Sequence, residues 1–214
     1  MKDYCLILLS YMEDVDSNLA QSLAEPASYI IAADGGQNLA RKFGLRPDCI
    51  IGDFDSTTQD EEFDCLTITY PAEKDITDTE GALLHAREKG FSRVLVLGGM
   101  GGRLDHTLGN IGLLCKFQSD FDAIRFVDGK NTMELLDSSE RTIDYDPRYQ
   151  FFALISLDEE ARGIDIIGAK YELRDTTLPR ASTLCVSNEF KESEVTIRVL
   201  DGRILIVRSS DQKR

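Results

Sequence analysis

The sequence predicts a two-part fold. An N-terminal α/β domain, a mainly parallel sheet layered between helices, precedes a smaller all-β sandwich of jelly-roll type. Three observations carry this. Apolar runs alternate with helix-patterned segments through the first part of the chain. From about Asn131 only strand-like runs follow, separated by turns. The two regimes meet in the charged stretch "DSSERTIDYDPR", which sets the expected domains at 1–137 and 138–214.

Each element has its own signal. "YCLILL" and "SYIIAA" are apolar strands, and "GGQNLARKFG" is a short helix closed by Gly44. "CIIG" and "TITYP" are further strands. In "TDTEGALLHAREKG", Thr77 and Glu80 have capping-box spacing, Ala82, Leu83 and Ala86 share a face, and Gly90 ends the helix. "RVLVLGG" is a buried strand. Leu104, Leu108, Ile111 and Cys115 then recur at helical spacing, and "AIRFV" is a strand. Further on, "TMELL", "QFFALISL", "GIDIIG", "TLCVS" and "EVTIRVL" read as strands. Asp201-Gly202 reads as a two-residue hairpin turn within "EVTIRVLDGRILIV".

Composition narrows the function. With 38 acidic and 24 basic residues in 214, the net charge of -14 repels nucleic acid and anionic membranes. No apolar run approaches the ~20 residues of a membrane span. The N-terminus reads as a first strand, because no small-residue cleavage site follows its apolar run. The 5 cysteines form no CxxC pair, so neither zinc nor a redox couple is indicated. An odd thiol count fits a reducing compartment, and the expectation is a cytoplasmic enzyme.

Four polar blocks each follow an apolar strand: "DGG", "DFDS", "EKDITD" and "GGMGGRLDH". If the strands are parallel, all four emerge at the carboxyl edge of the sheet, where open α/β sheets bind ligands. The blocks bring together Asp34, Asp53, Asp55, Asp75, Asp78 and Asp105. Carboxylates held close repel unless a cation joins them, and an oxygen-only set suits Mg²⁺ bridging to phosphates. Taken singly, each aspartate is equally suited to a turn or a helix cap. The glycines of "GGMGG" (98–102) let backbone approach a phosphate at a helix N-terminus, and Arg103 can pair with it bidentately. His106 can donate to phosphate oxygens or stack near a base, whereas His85 reads as structural. Lys74 can neutralise charge on a transferred group or sit solvated. Ser187 and Asn188 of "VSNEF" can bind a polar heterocycle or form an Asx turn.

Taken in order, "ADGG", "GDFDS", "KDITD", "GGMGGRLDH" and "SNEF" resemble the thiamine pyrophosphokinase (thiamine diphosphokinase) family, over positions 33 to 190. The resemblance implies an α/β domain before an all-β domain and a homodimer with sites at the subunit interface. It also implies a reaction: ATP plus thiamine gives thiamine diphosphate plus AMP. Carried onto this chain, it implies Mg²⁺ on Asp53, Asp55 and Asp78. Nucleotide contacts would come from Asp34, Gly35, Gly36, Gly98, Gly99, Gly101, Gly102, Arg103, Asp105 and His106. Thr77, Ser187 and Asn188 would meet substrate, with thiamine contacts contributed across the dimer. Asp55, Lys74 and Asp78 form the expected catalytic set, and several aspartates compete for the role of general base. Eukaryotic relatives stack an aromatic ring on thiamine. This chain has 0 Trp, and Tyr171 of "GAKYEL" is an available ring. Two other readings share these motifs: a thiamine- or nucleotide-binding module without chemistry, and an ATP-dependent transferase with another acceptor alcohol.

Overall fold

A computed structural model describes residues 4–52, 63–69 and 75–211. By compactness the chain divides into Met1–Gly129 and Lys130–Arg214.

The first unit holds strands β1 (Cys5–Leu8), β2 (Tyr29–Ala33), β3 (Cys49–Gly52), β4 (Leu66–Thr69), β5 (Arg93–Leu97) and β6 (Ala123–Val127). Its helices are α1 (Ser17–Ala24), α2 (Gly36–Phe43), α3 (Asp78–Glu88) and α4 (Leu104–Phe117). Every adjacent strand pair is parallel, in the order β6-β5-β1-β2-β3-β4. The chain steps outward from β1 to β4, then returns to the other side of β1 for β5 and β6. The order therefore reverses at β1, which makes its carboxyl end the switch point of the sheet. All four β1 residues are fully buried. Leu6 and Leu8 pack with Ala20 of α1 and with Ala40 and Phe43 of α2. Cys5 and Ile7 alternate to the opposite face, which is covered as completely.

Local signals fix the helix ends. The Asp16 side chain accepts from the Leu19 N–H at 2.8 Å and starts α1, a helix that the acidic run around it masks in the sequence. Gly44 closes α2 at φ 66°, and the Leu45 N–H reaches back to the Ala40 carbonyl at 2.8 Å. Thr77 caps α3 by accepting from the Glu80 N–H at 3.2 Å. The other half of the expected box is missing, because the Glu80 carboxylate pairs with Lys116 of α4 instead. His85 is buried on α3 with its Nε2 3.4 Å from the Tyr29 hydroxyl, and burial lowers its pKa, as suits a structural histidine. Helix α4 forms as expected, but its buried face is Asn110, Leu113, Leu114 and Phe117. Leu104 and Leu108 are 68% and 59% exposed.

The second unit holds β7 (Asn131–Asp137), β8 (Glu140–Asp144), β9 (Phe151–Ser156), β10 (Glu160–Ile167), β11 (Leu173–Pro179), β12 (Asn188–Glu189), β13 (Glu194–Arg198) and β14 (Arg203–Ser209). They form two antiparallel sheets, β12-β9-β14-β7 and β11-β10-β13-β8. Phe152, Leu154, Ile204 and Ile206 from one sheet share a core with Ile164, Ile166, Val195 and Ile197 from the other.

Three expectations change here. Asp201-Gly202 does not close a hairpin. Strand β13 pairs with β8 and β10, whereas β14 pairs with β7 and β9, so this turn carries the chain between sheets. The Leu200 and Asp201 N–H groups both donate to the Arg162 carbonyl and hold that crossing. "TLCVS" is a turn, with only Cys185 of Leu184, Cys185 and Val186 buried. The charged stretch contains β8, and β7 pairs along its length with β14, so the compact units meet after Gly129 and not near Asp137.

Candidate active site

A cleft of about 440 Å³ opens at the carboxyl ends of β1, β2 and β5. Leu9, Ser10 and Tyr11 leave β1. Asp34 leaves β2. The start of α3 contributes Ile76, Thr77, Asp78 and Thr79. The loop after β5 contributes Gly99, Gly101 and Arg103, and α4 contributes His106 and Asn110. Three of the four polar blocks thus meet at the switch point. The fourth, "DFDS" with Asp53 and Asp55, lies outside the described residues, as does Lys74 of "EKDITD".

The glycine loop is built from fixed contacts. Gly98, Gly99, Gly101 and Gly102 all have positive φ, between 60° and 95°. The Gly98 N–H donates to the Val127 carbonyl and the Gly99 N–H to the Tyr11 carbonyl, each at 2.8 Å. These two groups tie the loop down. Asn110 Nδ2 donates to the Gly99 carbonyl at 2.8 Å, and Thr107 Oγ1 to the Gly101 carbonyl at 3.3 Å. The Tyr11 ring packs on Gly101 and Gly102, where an added Cβ would stand 3.2 Å and 3.0 Å from it. The N–H groups of Gly101 and Gly102 find no acceptor among the described residues. Next to them begins α4, 14 residues long, with no side-chain cap. Unbonded amides and a helix N-terminus together make an anion cradle.

Arg103 and Asp105 stand at the exposed lip. Their side chains form a two-pronged pair, Nε–Oδ1 3.1 Å and Nη2–Oδ2 2.5 Å. Arg103, seconded by the His106 N–H, holds the Asp105 carboxyl at about 2. Asp105 therefore faces Arg103 and does not line the cleft. Gly35, Gly36, Gly98 and Gly102 also stand behind the lining. Gly36 is there for close approach: a Cβ would lie 2.1 Å from the Leu8 carbonyl oxygen. Asp34 adopts φ 50°, and its N–H donates to the Ile51 carbonyl at 2.8 Å, which anchors the turn after β2.

The donor set of the cleft is oxygen-rich. Asp34 and Asp78 bring carboxylates to it. Hard oxygen donors of this kind fit Mg²⁺. Among the described residues no three His, Cys, Asp or Glu side chains converge.

In the second unit, Ser187 has φ 58° and Asn188 is buried. The Asn188 carboxamide donates to the Tyr171 carbonyl at 2.8 Å and accepts from the Tyr171 N–H at 3.1 Å and the Glu189 N–H at 2.9 Å. Its amide thus acts as a strand-like partner for Tyr171. The Tyr171 ring itself is 59% exposed, with Lys170 Nζ 5.5 Å from its centroid. Tyr11 and Asn110 were not signalled by the sequence. Asn110 reads as helix filler until its bond to a carbonyl 11 residues away is seen.

The model of the thiamin pyrophosphokinase catalytic domain matches residues 20–126, and that of the thiamin pyrophosphokinase vitamin B1 binding domain matches 140–204. The thiamine pyrophosphokinase of Bacillus subtilis is 34% identical over 187 residues, covering 85% of this chain and 87% of that protein. Its crystal structure superposes with a TM-score of 0.86 at 29% identity, over 97% of this chain and 100% of that one. The thiamin pyrophosphokinase of Geobacillus thermodenitrificans also gives 0.86, at 32% identity over 98% and 99%. Matched in both halves and along most of its length, the chain belongs to the thiamine pyrophosphokinase family.

Proposed function

We propose that this enzyme transfers the pyrophosphoryl group of ATP to thiamine. The hydroxyl oxygen of thiamine attacks the β-phosphorus, the bond from that phosphorus to the α,β-bridging oxygen breaks, and AMP leaves with that oxygen. The hydroxyl proton is released. The observation that carries this reading is the convergence of Asp34, Asp78, the glycine loop, Arg103 and His106 on one cleft at the switch point.

The roles follow from the chemistry of each group. The Gly101 N–H group, without an acceptor among the described residues, and the α4 N-terminus suit the phosphates. Arg103 can exchange Asp105 for a phosphate, since an exposed pair in water is weak. His106 and Thr77 supply further donors at the cleft wall. Asp53, Asp55 and Asp78 would hold Mg²⁺, which when bound neutralises phosphate charge and lowers the pKa of an attached hydroxyl. Lys74 is assigned to the charge that develops on the transferred group.

Within the second unit, residues 138–214 are assigned to thiamine. The Asn188 carboxamide holds the backbone of Tyr171, whose exposed ring offers an aromatic platform beside this motif. Asn188 then acts as a positioning residue and Ser187 as a contact. Tyr171→Ala is expected to raise KM for thiamine about tenfold and leave KM for ATP unchanged, with Tyr171→Trp restoring it. Equal KM values in wild type and Tyr171→Ala would remove the ring from the site. A homodimer belongs to this reading. The exposed Leu104 and Leu108 lie on α4 with Gly109 and Gly112, where nothing stands within 4 Å of an added Cβ. A single-chain mass in solution by light scattering would exclude it.

One assay tests the reaction. Purified protein with ATP, Mg²⁺ and thiamine is expected to yield thiamine diphosphate and AMP in equal amounts, resolved by HPLC. Release of ADP would indicate a monophosphate transfer. Thiamine binding without turnover would favour a binding module.

A further inference from the structure

We infer that Asn110 is a nucleotide-specificity residue, whose side-chain oxygen accepts a hydrogen bond from a donor on the sugar or base of the nucleotide. This rests on reading the cleft as a nucleotide site. Asn110 lines that cleft yet is 6% exposed, which makes it the most buried of the polar side chains in the wall. The orientation of its amide is fixed by chemistry: Nδ2 donates to the Gly99 carbonyl at 2.8 Å, and a carbonyl can only accept. Oδ1 is therefore turned away from Gly99. No donor among the described residues reaches it, and it is not sealed from the cleft.

An acceptor in this place selects its partner. Phosphate oxygens at neutral pH are acceptors too, so Oδ1 repels them. The loop divides the work: Gly101 offers its N–H group to phosphates, while Asn110, at the end of the first two turns of α4, offers an acceptor. The complementary groups on a nucleoside triphosphate are the ribose hydroxyls and the exocyclic amine of adenine. A buried acceptor left without its donor is costly, so an analogue lacking that donor is discriminated against.

The test compares binding of ATP, 2′-deoxy-ATP, 3′-deoxy-ATP and purine riboside triphosphate to the full chain by calorimetry with Mg²⁺ present. One analogue is expected to bind wild type about tenfold more weakly than ATP, and that analogue identifies the donor. In Asn110→Leu the ratio between ATP and that analogue is expected to fall to within twofold. A loosened glycine loop would weaken all four nucleotides together and leave the ratio unchanged, so an unchanged ratio in Asn110→Leu overturns the proposal. Equal binding of all four by wild type overturns it as well. Wild type that binds none of them removes the nucleotide reading itself, a separate outcome from wild type that binds ATP without discriminating.

Discussion

Asp78→Asn is expected to lower kcat by on the order of 10²–10³ while leaving the protein folded. Asp78 is the first residue of α3 and lines the cleft beside Thr77 and Thr79. The amide keeps the volume of the carboxylate and loses its charge. A charge that meets phosphate through a cation matters most when charge redistributes between entering and leaving oxygens, so the loss falls on kcat more than on KM for ATP. The Mg²⁺ concentration for half-maximal rate should rise in parallel. Stability should change little: a carboxylate in the first turn of a helix contributes about 0.3–1 kcal/mol through the dipole. That corresponds to a fall in Tm of at most about 4 °C. Asp75→Asn is the matched control. It sits three residues earlier in the same block but does not line the cleft, and its kcat should stay within about twofold of wild type. Asp78→Asn with turnover near that of wild type would remove this residue from the metal site.

How much of this was legible depends on what the sequence pattern can distinguish. Parallel strands buried on both faces read as unbroken apolar runs, so "CLIL", "YIIAA" and "RVLVL" stood out. The polar blocks that follow them had to surface at one edge, which is why the cleft was foreseeable before any contact was known. Other features were not encoded locally. The alternation of Val195, Ile197, Ile204 and Ile206 suits a hairpin and a sheet crossing equally, because both arrangements point these residues at one core. Leu104 and Leu108 have helical spacing, but so do Asn110, Leu113, Leu114 and Phe117, and only packing decides which face turns inward. Arg103 was expected on a phosphate. Its nearest anion in this structure is Asp105, two residues on, because the same guanidinium geometry suits either acceptor. Tyr11 carries no motif at all. It becomes a wall of the cleft only because Gly101 and Gly102 leave room for its ring.

Gly36→Ala is expected to destabilise the first unit by about 3 kcal/mol and to weaken activity through the same displacement. The added methyl would stand 2.1 Å from the Leu8 carbonyl oxygen and 2.9 Å from its carbon. Neither atom can yield easily. Leu8 is fully buried in β1 and pairs on one side with Ala32 and on the other with Leu97, at the centre of the sheet. Helix α2 must therefore shift away from β1, and the turn that carries Asp34 shifts with it. Alanine gains up to about 1 kcal/mol over glycine in helix propensity, which offsets only part of the clash. A fall in Tm of roughly 6–12 °C follows for a chain of this size. Gly44→Ala separates steric from conformational cost. It ends the same helix at φ 66° with nothing within 4 Å of an added Cβ, so only backbone strain of about 1–2 kcal/mol applies. Its activity should be unaffected, because the far end of α2 is away from the cleft lining. If instead the two variants lost equal stability, the close contact between α2 and β1 would not be what requires glycine at 36. If Gly36→Ala lost stability but kept full kcat/KM, Asp34 would not depend on that contact for its place in the cleft.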